Sequence, residues 1–245
     1  MKQTICLCMI VKNEIEVLKA ALDSVVKHID YWIIGDTGSD DGTQEFIKTY
    51  FKEKGIDGEL YEDEWKNFAH NRQLVFDRAK SKADYLMTLD ADEVLVPVRD
   101  NEPLTGKKVP KLPTFKKDLV RTYTFLNPWI YKRAQFFKST LDWKWAEGLH
   151  EYPYCDEPHQ EEFASNIAIH TEGGGARGQE NDRLLKDIMA LQEALKTNPS
   201  PRNYYNLGMT EQSRGNYGAA IDAYTKCIDS SSWDEESYLA HLSRG

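Results

Sequence analysis

The chain has 245 residues, enough for one medium-sized domain with a buried core and a smaller second domain. Asp and Glu total 40 against 31 Lys and Arg, which gives a formal net charge of −9. This excess of acid, with no long basic run, excludes nucleic acid as the main partner and disfavours an anionic membrane surface. An anionic substrate would therefore need a metal ion or a few local Lys and Arg side chains.

The cysteines and the apolar segments predict a cytoplasmic protein without a transmembrane segment. The four cysteines form no CxxC pair and no regular ladder of spacings, so we expect reduced thiols. The apolar run at residues 5–11 is too short for a transmembrane helix or a typical signal sequence. Peripheral association with a membrane remains compatible with this composition.

The first hundred residues alternate strand-like and helix-like segments, which predicts an α/β fold with a mostly parallel sheet and flanking helices. Strands are predicted at residues 5–11, 31–34, 59–61 and 85–89, and helices at 15–29, 46–51 and 68–80. Residues 97–113, rich in Pro, Lys and Gly, predict a long loop of the kind that often serves as a lid. Further strands are predicted at 120–126, 129–137 and 165–170, with an aromatic segment at 143–151.

Three glycines at 173–175 predict a boundary between a domain at residues 1–175 and an all-α segment at 176–245. The helical segment resembles a tetratricopeptide repeat, and the residues at that motif's packing positions are Tyr204, Leu207, Gly208, Ala220 and Tyr224. Gly208 and Ala220 would let two helices approach closely. Because a second repeat would begin near Tyr238, we expect the helical segment to be truncated or capped by a neighbour, and able to mediate oligomers.

Acidic or amide side chains follow three of the predicted parallel strands. Asn13 and Glu14 follow the first, Asp36 the second, and Asp90 and Asp92 the fourth. The carboxyl ends of parallel strands share one edge of a sheet, so these side chains would line one crevice. Gathered carboxylates raise one another's pKa unless a cation joins them, and oxygen donors suit a hard divalent cation. The pattern therefore predicts a metal-assisted ligand site.

Neither a calcium-binding loop nor a phosphate-binding loop fits the spacing of these residues. A calcium loop of the EF-hand type starting at Asp36 would have Asp41 where the motif needs Gly, and Ile47 where it needs Glu. The phosphate-binding loop and the G-x-G-x-x-G fingerprint are also absent from the sequence. Metal and side chains would have to carry any phosphate binding.

In these motifs the chain resembles the inverting glycosyltransferases of family 2, which have the GT-A fold, and among them a subgroup fused to tetratricopeptide repeats. The resemblance spans roughly residues 4–172, with the motifs in the same order and spacing. The residues that carry it are Cys8-Met9-Ile10-Val11-Lys12-Asn13-Glu14, Asp36-Thr37-Gly38-Ser39-Asp40-Asp41-Gly42-Thr43, Trp65 with Phe68-Ala69-His70-Asn71-Arg72, and Leu89-Asp90-Ala91-Asp92-Glu93.

The resemblance implies a nucleotide-sugar site. Asp36 would hold the base or ribose, Arg72 would reach the nucleotide, and Asp90 would face the ribose or a metal-bound water. The full set expected to bind the nucleotide sugar is Val11, Asn13, Glu14, Asp36, Arg72, Asp90 and Ala91. Asp92 would ligate a divalent cation that bridges both phosphates, and Glu93 would lie behind it or toward the acceptor.

Two further residues are assigned on the same resemblance. His170, which ends a strand before the glycines, would add an imidazole to the metal site, and a mixed carboxylate and imidazole set favours Mn²⁺ over Mg²⁺. Glu151 would be the general base that deprotonates the acceptor. Its rivals are Glu147, Asp142 and His150. Trp65, Trp143 and Trp145 are candidates to stack on sugar rings.

The resemblance thus implies a metal-dependent transfer of one sugar, with inversion, from a nucleotide-diphosphate sugar, most simply a UDP-sugar. The acceptor would be a glycan, a lipid-linked saccharide or a protein side chain, and the helical segment would orient it or mediate assembly. A nucleotidyltransferase uses similar acids on a similar sheet, but it usually has a Gly-rich basic loop near its N-terminus. A third hypothesis is an inert scaffold that binds a partner peptide through its repeats.

Overall fold

The computed structural model describes residues 2–231 and 234–244, except for the side chains of 234–236. The contacts divide the chain into two units. Unit one comprises Met1–Ala146 and Tyr152–Gly178, and unit two comprises Glu147–Glu151 and Gln179–Gly245. The sequence pattern did not anticipate that residues 147–151 group with the helices.

Unit one is built on a large twisted sheet and a small two-stranded one. The strands are β1 (Ile5–Val11), β2 (Tyr31–Asp36), β3 (Gly58–Glu62), β4 (Tyr85–Thr88), β5 (Glu93–Arg99), β6 (Glu102–Pro103), β7 (Leu119–Leu126), β8 (Trp129–Lys138), β9 (Lys144–Ala146), β10 (Tyr152–Tyr154) and β11 (Glu161–Thr171). The large sheet has the order β3-β2-β1-β4-β8-β7-β11-β5-β6, and β9 pairs with β10. It is a mixed α/β fold with a central sheet.

Three helices cover the two faces of this sheet. They are α1 (Leu18–Val25), α2 (Thr43–Lys54) and α3 (Phe68–Ala79). Helices α1 and α2 pack on the face of Leu7 and Met9, whereas α3 packs on the opposite face against Cys6 and Cys8. Because β1 is covered on both faces, its sequence is a nearly continuous apolar run instead of an alternating one.

Helix α3 begins where its sequence supplies a cap. The side chain of Asn67 accepts a hydrogen bond from the backbone N–H of His70, at 2.8 Å, which satisfies one of the unpaired donors of the first turn. Asn71, which is fully buried one turn into the helix, donates to the carbonyl of Glu64 and accepts from the N–H of Lys66. These bonds fix the loop before α3, and with it the position of Arg72.

The sheet differs from the mostly parallel prediction. The pairings among β3, β2, β1 and β4 are parallel, as is that of β7 with β11. The pairs β4–β8, β7–β8, β5–β11 and β5–β6 are antiparallel, so the prediction is correct among the first four strands in the chain and wrong for every other pairing of this sheet except β7–β11. The cause is topological: β7 and β8 form a hairpin, and β5 turns back directly after the acidic turn.

The predicted loop at 97–113 is partly wrong. Strand β5 runs through Pro97 to Arg99 and pairs with β11, and residues 104–118 follow without helix or strand. Val109 and Phe115 from this stretch are buried in the core, and the carbonyl of Val109 contacts the Nε2 of His28 at 3.0 Å. The stretch is therefore anchored to the domain at these points.

Unit two is helical. Its helices are α4 (Arg183–Thr197), α5 (Pro201–Ser213), α6 (Tyr217–Ser230) and α7 (Asp234–Arg244), and a 3-10 turn at Ala176–Gln179 precedes them. Gly208 of α5 faces Tyr224 of α6 so closely that a Cβ at Gly208 would lie 2.6 Å from the ring. The two helices thus approach at the glycine named from the sequence. Within the residues described, no helix is long and apolar enough to cross a membrane.

Candidate active site

The strand ends meet as the sequence predicts. Val11 at the end of β1 is in register with Asp36 at the end of β2, and Cys8 of β1 is in register with Thr88 of β4. The segments that follow β1, β2 and β4 therefore leave the sheet at one edge. Asn13, with a φ of 56°, donates its N–H to Ser39 and accepts from the N–H of Asp40. Its amide oxygen thus ties two of these segments together.

Asp36 is completely buried and only half satisfied. Its Oδ1 accepts hydrogen bonds from the backbone N–H groups of Gly38 and Ser39 and from the amide of Gln44, at 2.8–3.0 Å. Its Oδ2 is also buried, and no donor in the described part of the chain reaches it. A buried acceptor left without a donor costs roughly 1–3 kcal/mol, so an unpaired oxygen here needs an explanation.

Asp90 is held by two arginines, one directly and one through Glu93. Arg72 donates to Asp90 Oδ1 at 2.7 Å. Although burial opposes it, the positive charges of Arg72 and Arg133 lower the pKa of Asp90. Arg133 also grips Glu93 with two bonds of 2.7 Å, and Glu93 Oε2 accepts from the backbone N–H of Asp90 at 3.0 Å. The carboxylate of Asp90 is thus ionised and rigidly placed.

The pKa values of Asp92 and Glu14 are raised, whereas that of Asp90 is lowered. Burial, followed by the negative charges of Asp90 and Glu93, raises the pKa of Asp92. The pKa of Glu14 is raised to about 6, mainly by burial and also by the charges of Asp92 and Asp90, against a hydrogen bond from the N–H of Ala176. Three carboxyl groups from two strand ends therefore repel one another, and a cation placed among them would relieve this repulsion.

The backbone of residues 175–176 closes on these acids. A Cβ at Gly175 would lie 3.2 Å from Asp92 Oδ2, and the N–H of Ala176 donates to Glu14 Oε2 at 3.1 Å. Any larger residue at this position would require the Asp92 side chain to shift by a few tenths of an ångström. The sequence signal for this contact was the glycine run, which predicted a domain boundary and not a contact with Asp92.

His170 lies on the strand that pairs with the segment directly after the acids. It is opposite Val94 on β5, and the N–H of Glu172 donates to the carbonyl of Asp92. Side chains alternate along β11, so His170 shares its face with Ala168, which packs against Val94. Its Nδ1 is buried without a hydrogen-bond partner in the described residues.

The donor set fits a metal only in part. In residues 2–231 and 234–244 there is no group of three or more His, Cys, Asp or Glu side chains arranged to hold a metal ion. Asp92 supplies a carboxylate whose charge is poorly compensated, so it fits a cation whose remaining ligands come from a substrate diphosphate. The assignment of His170 to the same cation stays a prediction.

The candidates for the general base fall within or beside unit two. Glu147 has both carboxylate oxygens engaged, by the amides of Asn203 and Asn198 at 2.9 and 3.1 Å. The carboxylate of Asp142 accepts from Lys80 at 2.6 Å, and this hydrogen bond lowers the pKa of Asp142. The carboxylates of Glu147 and Asp142 are therefore both engaged by donors, and His150, the third rival, belongs to the same five-residue segment as Glu151. Glu151 belongs to residues 147–151 of unit two, and its role as the base stays a prediction.

The tryptophans expected to stack on sugars have different surroundings. Trp143 is almost fully buried, and its Nε1 donates to the carbonyl of Lys138. The guanidinium carbon of Arg72 lies 5.4 Å from the centre of the Trp145 ring. Trp145 therefore packs against Arg72, the residue that binds Asp90. Trp65 is 40% exposed and packs edge-on against Phe68.

The pair Glu93–Arg133 is the main element of the site that the sequence did not reveal. The two residues are forty positions apart, and Arg133 lies within an ordinary strand pattern. Glu93 was expected to lie behind the metal ligand or toward the acceptor. Its bond to the N–H of Asp90 orients the turn that contains Asp90, and its place relative to the cation and the acceptor stays a prediction.

A comparison with known protein families finds a match in the N-terminal part of the chain. The model described as Glycosyl transferase family 2 matches residues 6–102. The match covers less than half of the chain. The matched range contains the residues predicted to bind the nucleotide sugar together with Asp92, whereas Glu151 and His170 lie outside it.

Solved structures with a similar chain course include two glycosyltransferases. S. aureus TarS 1-349 in complex with UDP-GlcNAc is 11% identical over 98% of this chain and 87% of that chain, with a TM-score of 0.48. The mannosyltransferase PcManGT from Pyrobaculum calidifontis, in complex with GDP-Man and Mn²⁺, is 15% identical over 99% of this chain and 80% of that chain, with a TM-score of 0.47. No curated protein sequence matches the chain.

Proposed function

We propose that this protein is a GT-A glycosyltransferase that binds a nucleoside-diphosphate sugar with a divalent cation and transfers the sugar with inversion. The observation that carries the proposal is the uncompensated charge of Asp92 and Glu14 beside the ion pair of Asp90 and Arg72. A cation and a diphosphate would complete this arrangement, since the cation offsets the carboxylates and the phosphates offset the cation.

The unpaired oxygen of Asp36 supports a particular base. Uracil presents a ring N–H as the one donor of its pairing edge and guanine a ring N–H beside an amino group, whereas the donor of adenine and of cytosine on that edge is an exocyclic amino group. Guanine would offer two parallel donors, but Asp36 Oδ1 is already saturated by three bonds. One open oxygen matches the single N–H of uracil, and a UDP-sugar is therefore the proposed donor.

The acids divide the remaining work. Asp92 would hold the cation, with Mn²⁺ favoured over Mg²⁺ if His170 joins it. Bound between the phosphates, the cation would neutralise the negative charge that develops on the leaving diphosphate. Asp90, ionised and fixed by Arg72 and Glu93, would receive the ribose or a metal-bound water. Glu151 would take the proton of the acceptor hydroxyl.

Titration calorimetry with UDP, GDP, CDP and ADP, with and without Mn²⁺, tests the donor assignment. We expect UDP to bind most tightly, Mn²⁺ to strengthen its binding, and Asp92→Asn to abolish the effect of Mn²⁺. Asp36→Asn should weaken UDP at least about tenfold, because an amide N–H would face the N–H of uracil. The control Asp156→Asn removes an exposed carboxylate that pairs with Lys144 and should change nothing.

Two outcomes would contradict the donor assignment. If none of the four nucleotides binds, the site is not a donor site, and the scaffold hypothesis gains support. The second outcome is that Mn²⁺ strengthens UDP binding to Asp92→Asn as much as it strengthens UDP binding to the wild type. Asp92 would then not be a metal ligand. Release of pyrophosphate during turnover would identify a nucleotidyltransferase instead.

The base assignment has its own test. We expect Glu151→Gln to reduce sugar transfer by about a hundredfold while the binding of UDP is retained. Glu147→Gln is the matched comparison from the same five-residue segment. NMR of the product would show whether the anomeric configuration is inverted. An unchanged transfer rate in Glu151→Gln would exclude it as the base.

We also propose that the helices of unit two are tetratricopeptide-like and bind an acceptor or a second copy of the chain. The close approach of Gly208 to Tyr224 supports this packing. Light scattering measures the mass of the full chain in solution and so distinguishes the two roles. A mass that rises with concentration would support binding of a second copy, whereas a monomer at all concentrations would exclude it and favour acceptor binding.

A further inference from the structure

The hairpin formed by β7 and β8 ends in a set of exposed apolar side chains. Trp129 is 69% exposed and Ile130 58%, while Leu126 and Tyr131 are each 43% exposed. Exposed aromatic side chains of this size are unusual in a folded surface and often mark a binding site. Residues 126–131 carry no charged side chain.

The strand register sorts these side chains onto two faces. From Trp129 to Ala134 the pairing with β7 is regular, so Trp129, Tyr131 and Arg133 point to the same face. Ile130 and Lys132 point to the other, where the ammonium of Lys132 lies 4.5 Å from the centre of the Phe163 ring. The two exposed aromatic rings are thus consecutive on one face of β8, about 7 Å apart along the strand.

This aromatic face is continuous with the acidic site. Tyr131 hydrogen-bonds to Arg133, and Arg133 holds Glu93 with two bonds. Glu93 in turn accepts from the N–H of Asp90. Exposure rises outward along the same face, from the Arg133 side chain at 28% to Tyr131 at 43% and Trp129 at 69%. The face therefore leads from the proposed donor site to solvent.

We propose that Trp129 and Tyr131 form a platform on which a neutral saccharide acceptor stacks its rings. The inference rests on the proposed function, because it assigns the acceptor of that transfer to the carbohydrate class. The apolar C–H face of a sugar packs on an aromatic ring, and the uncharged tip beside several carboxylates suits a neutral ligand better than an anionic one.

A membrane surface is the main competing occupant. Insertion of the tip into lipid would use Ile130 and Leu126 as much as the two aromatic rings. A saccharide would use only the face that carries Trp129 and Tyr131. The variant Ile130→Ala is therefore a matched control from the same tip, with similar exposure but the opposite orientation.

Fluorine NMR of the full chain labelled with 5-fluorotryptophan measures the binding directly. Trp129→Phe assigns the resonance of Trp129, and the probes are cellotriose, chitotriose and mannotriose. We expect at least one of them to shift this resonance. Trp129→Ala, followed by calorimetry, should weaken the same probe at least about tenfold, whereas Ile130→Ala and Tyr131→Phe, which keeps the ring, should bind it normally.

The outcomes are separable from the donor assignment because UDP binding is measured on the same variants. Normal UDP binding with no saccharide shift for any probe would overturn the platform and leave the proposed function intact. If the wild type does not bind UDP but a saccharide still shifts the Trp129 resonance, the proposed function is overturned and the platform stands as a saccharide-binding surface. The membrane alternative is tested by co-sedimentation with vesicles of phosphatidylcholine and phosphatidylglycerol. If the wild type co-sediments and Trp129→Ala and Ile130→Ala weaken this equally, the tip binds a membrane and the platform is rejected.

Discussion

Glu14 combines burial with nearby negative charge, and its pKa of about 6 makes stability depend on pH. The folded state binds this proton more tightly than the unfolded chain, whose carboxyl keeps a value near 4.5. Below about pH 4.5 the Glu14 carboxyl is therefore protonated in both states and does not lower the free energy of unfolding. Its unfavourable contribution grows as the pH rises through about 6, where the folded protein must ionise it.

We expect Glu14→Gln to raise the free energy of unfolding at about pH 7.5 by about 1 kcal/mol, since each pKa unit corresponds to about 1.4 kcal/mol and solvent screens this half-buried group. At about pH 4 the variant and the wild type should be equally stable. Urea unfolding at the two pH values measures the difference. The exposed Glu16→Gln is the control, and an equal gain at both pH values would show that charge is not the cause.

The pair Arg133–Glu93 predicts a large loss of stability on truncation. The side chain of Glu93 is only 4% exposed, so Arg133→Met would leave a buried carboxylate without its cation. We expect a destabilisation of roughly 3 kcal/mol in urea unfolding. The neighbouring strand offers a matched control in Arg121, which makes the same two-bond contact with Glu161 at 39% and 43% exposure. Arg121→Met should cost less than about 1 kcal/mol, and equal losses would refute the role of burial.

Among the elements, α5 and α6 offer a pair of glycines with opposite surroundings. Gly208→Ala would place a methyl group 2.6 Å from the Tyr224 ring, whereas a Cβ at Gly218 meets nothing within 4 Å. Overpacking costs about 1–3 kcal/mol, more than the gain of about 1 kcal/mol from helix propensity. We expect Gly208→Ala to lower the melting temperature and Gly218→Ala to raise it slightly. A stabilising Gly208→Ala would show that the helices can separate without cost.

The sequence predicted the elements whose pattern depends on local neighbours. Strand β1 has the predicted bounds, and α3 ends one residue before the predicted end. Strand β5 was missed because Pro97 interrupts it and an acidic turn precedes it, although its pairing with β11 supplies a partner that the local pattern does not reveal. The strand directions were missed for the same reason, since they depend on which strands pair.

The site shows the same division between local and long-range information. Asp36, Asp90 and Asp92 could be named because each directly follows an apolar strand. The arginine that fixes Glu93 and the glycine that makes room for Asp92 come from distant segments. Their contacts depend on the register of β8 and β11, which no spacing in the sequence encodes.

At the scale of the whole molecule, a ligand should protect one unit and not the other. Every residue assigned to the nucleotide and the cation lies in unit one. A ligand at a hundred times its dissociation constant stabilises the folded state by about 2.7 kcal/mol. With UDP and Mn²⁺, we expect amide hydrogen exchange to slow at the ends of β1, β2 and β4. Equal slowing in α5 and α6 would contradict a donor site confined to unit one.

The hairpin tip also bears on how this protein can change. Leu126, Trp129 and Ile130 are exposed, and residues 126–130 lie outside the buried core of the described structure. Substitutions there should spare folding, since surface changes usually alter stability by less than about 0.5 kcal/mol. A combinatorial library confined to these positions would then leave most members folded and still able to load a donor. The tip is therefore where directed evolution toward a new acceptor should begin.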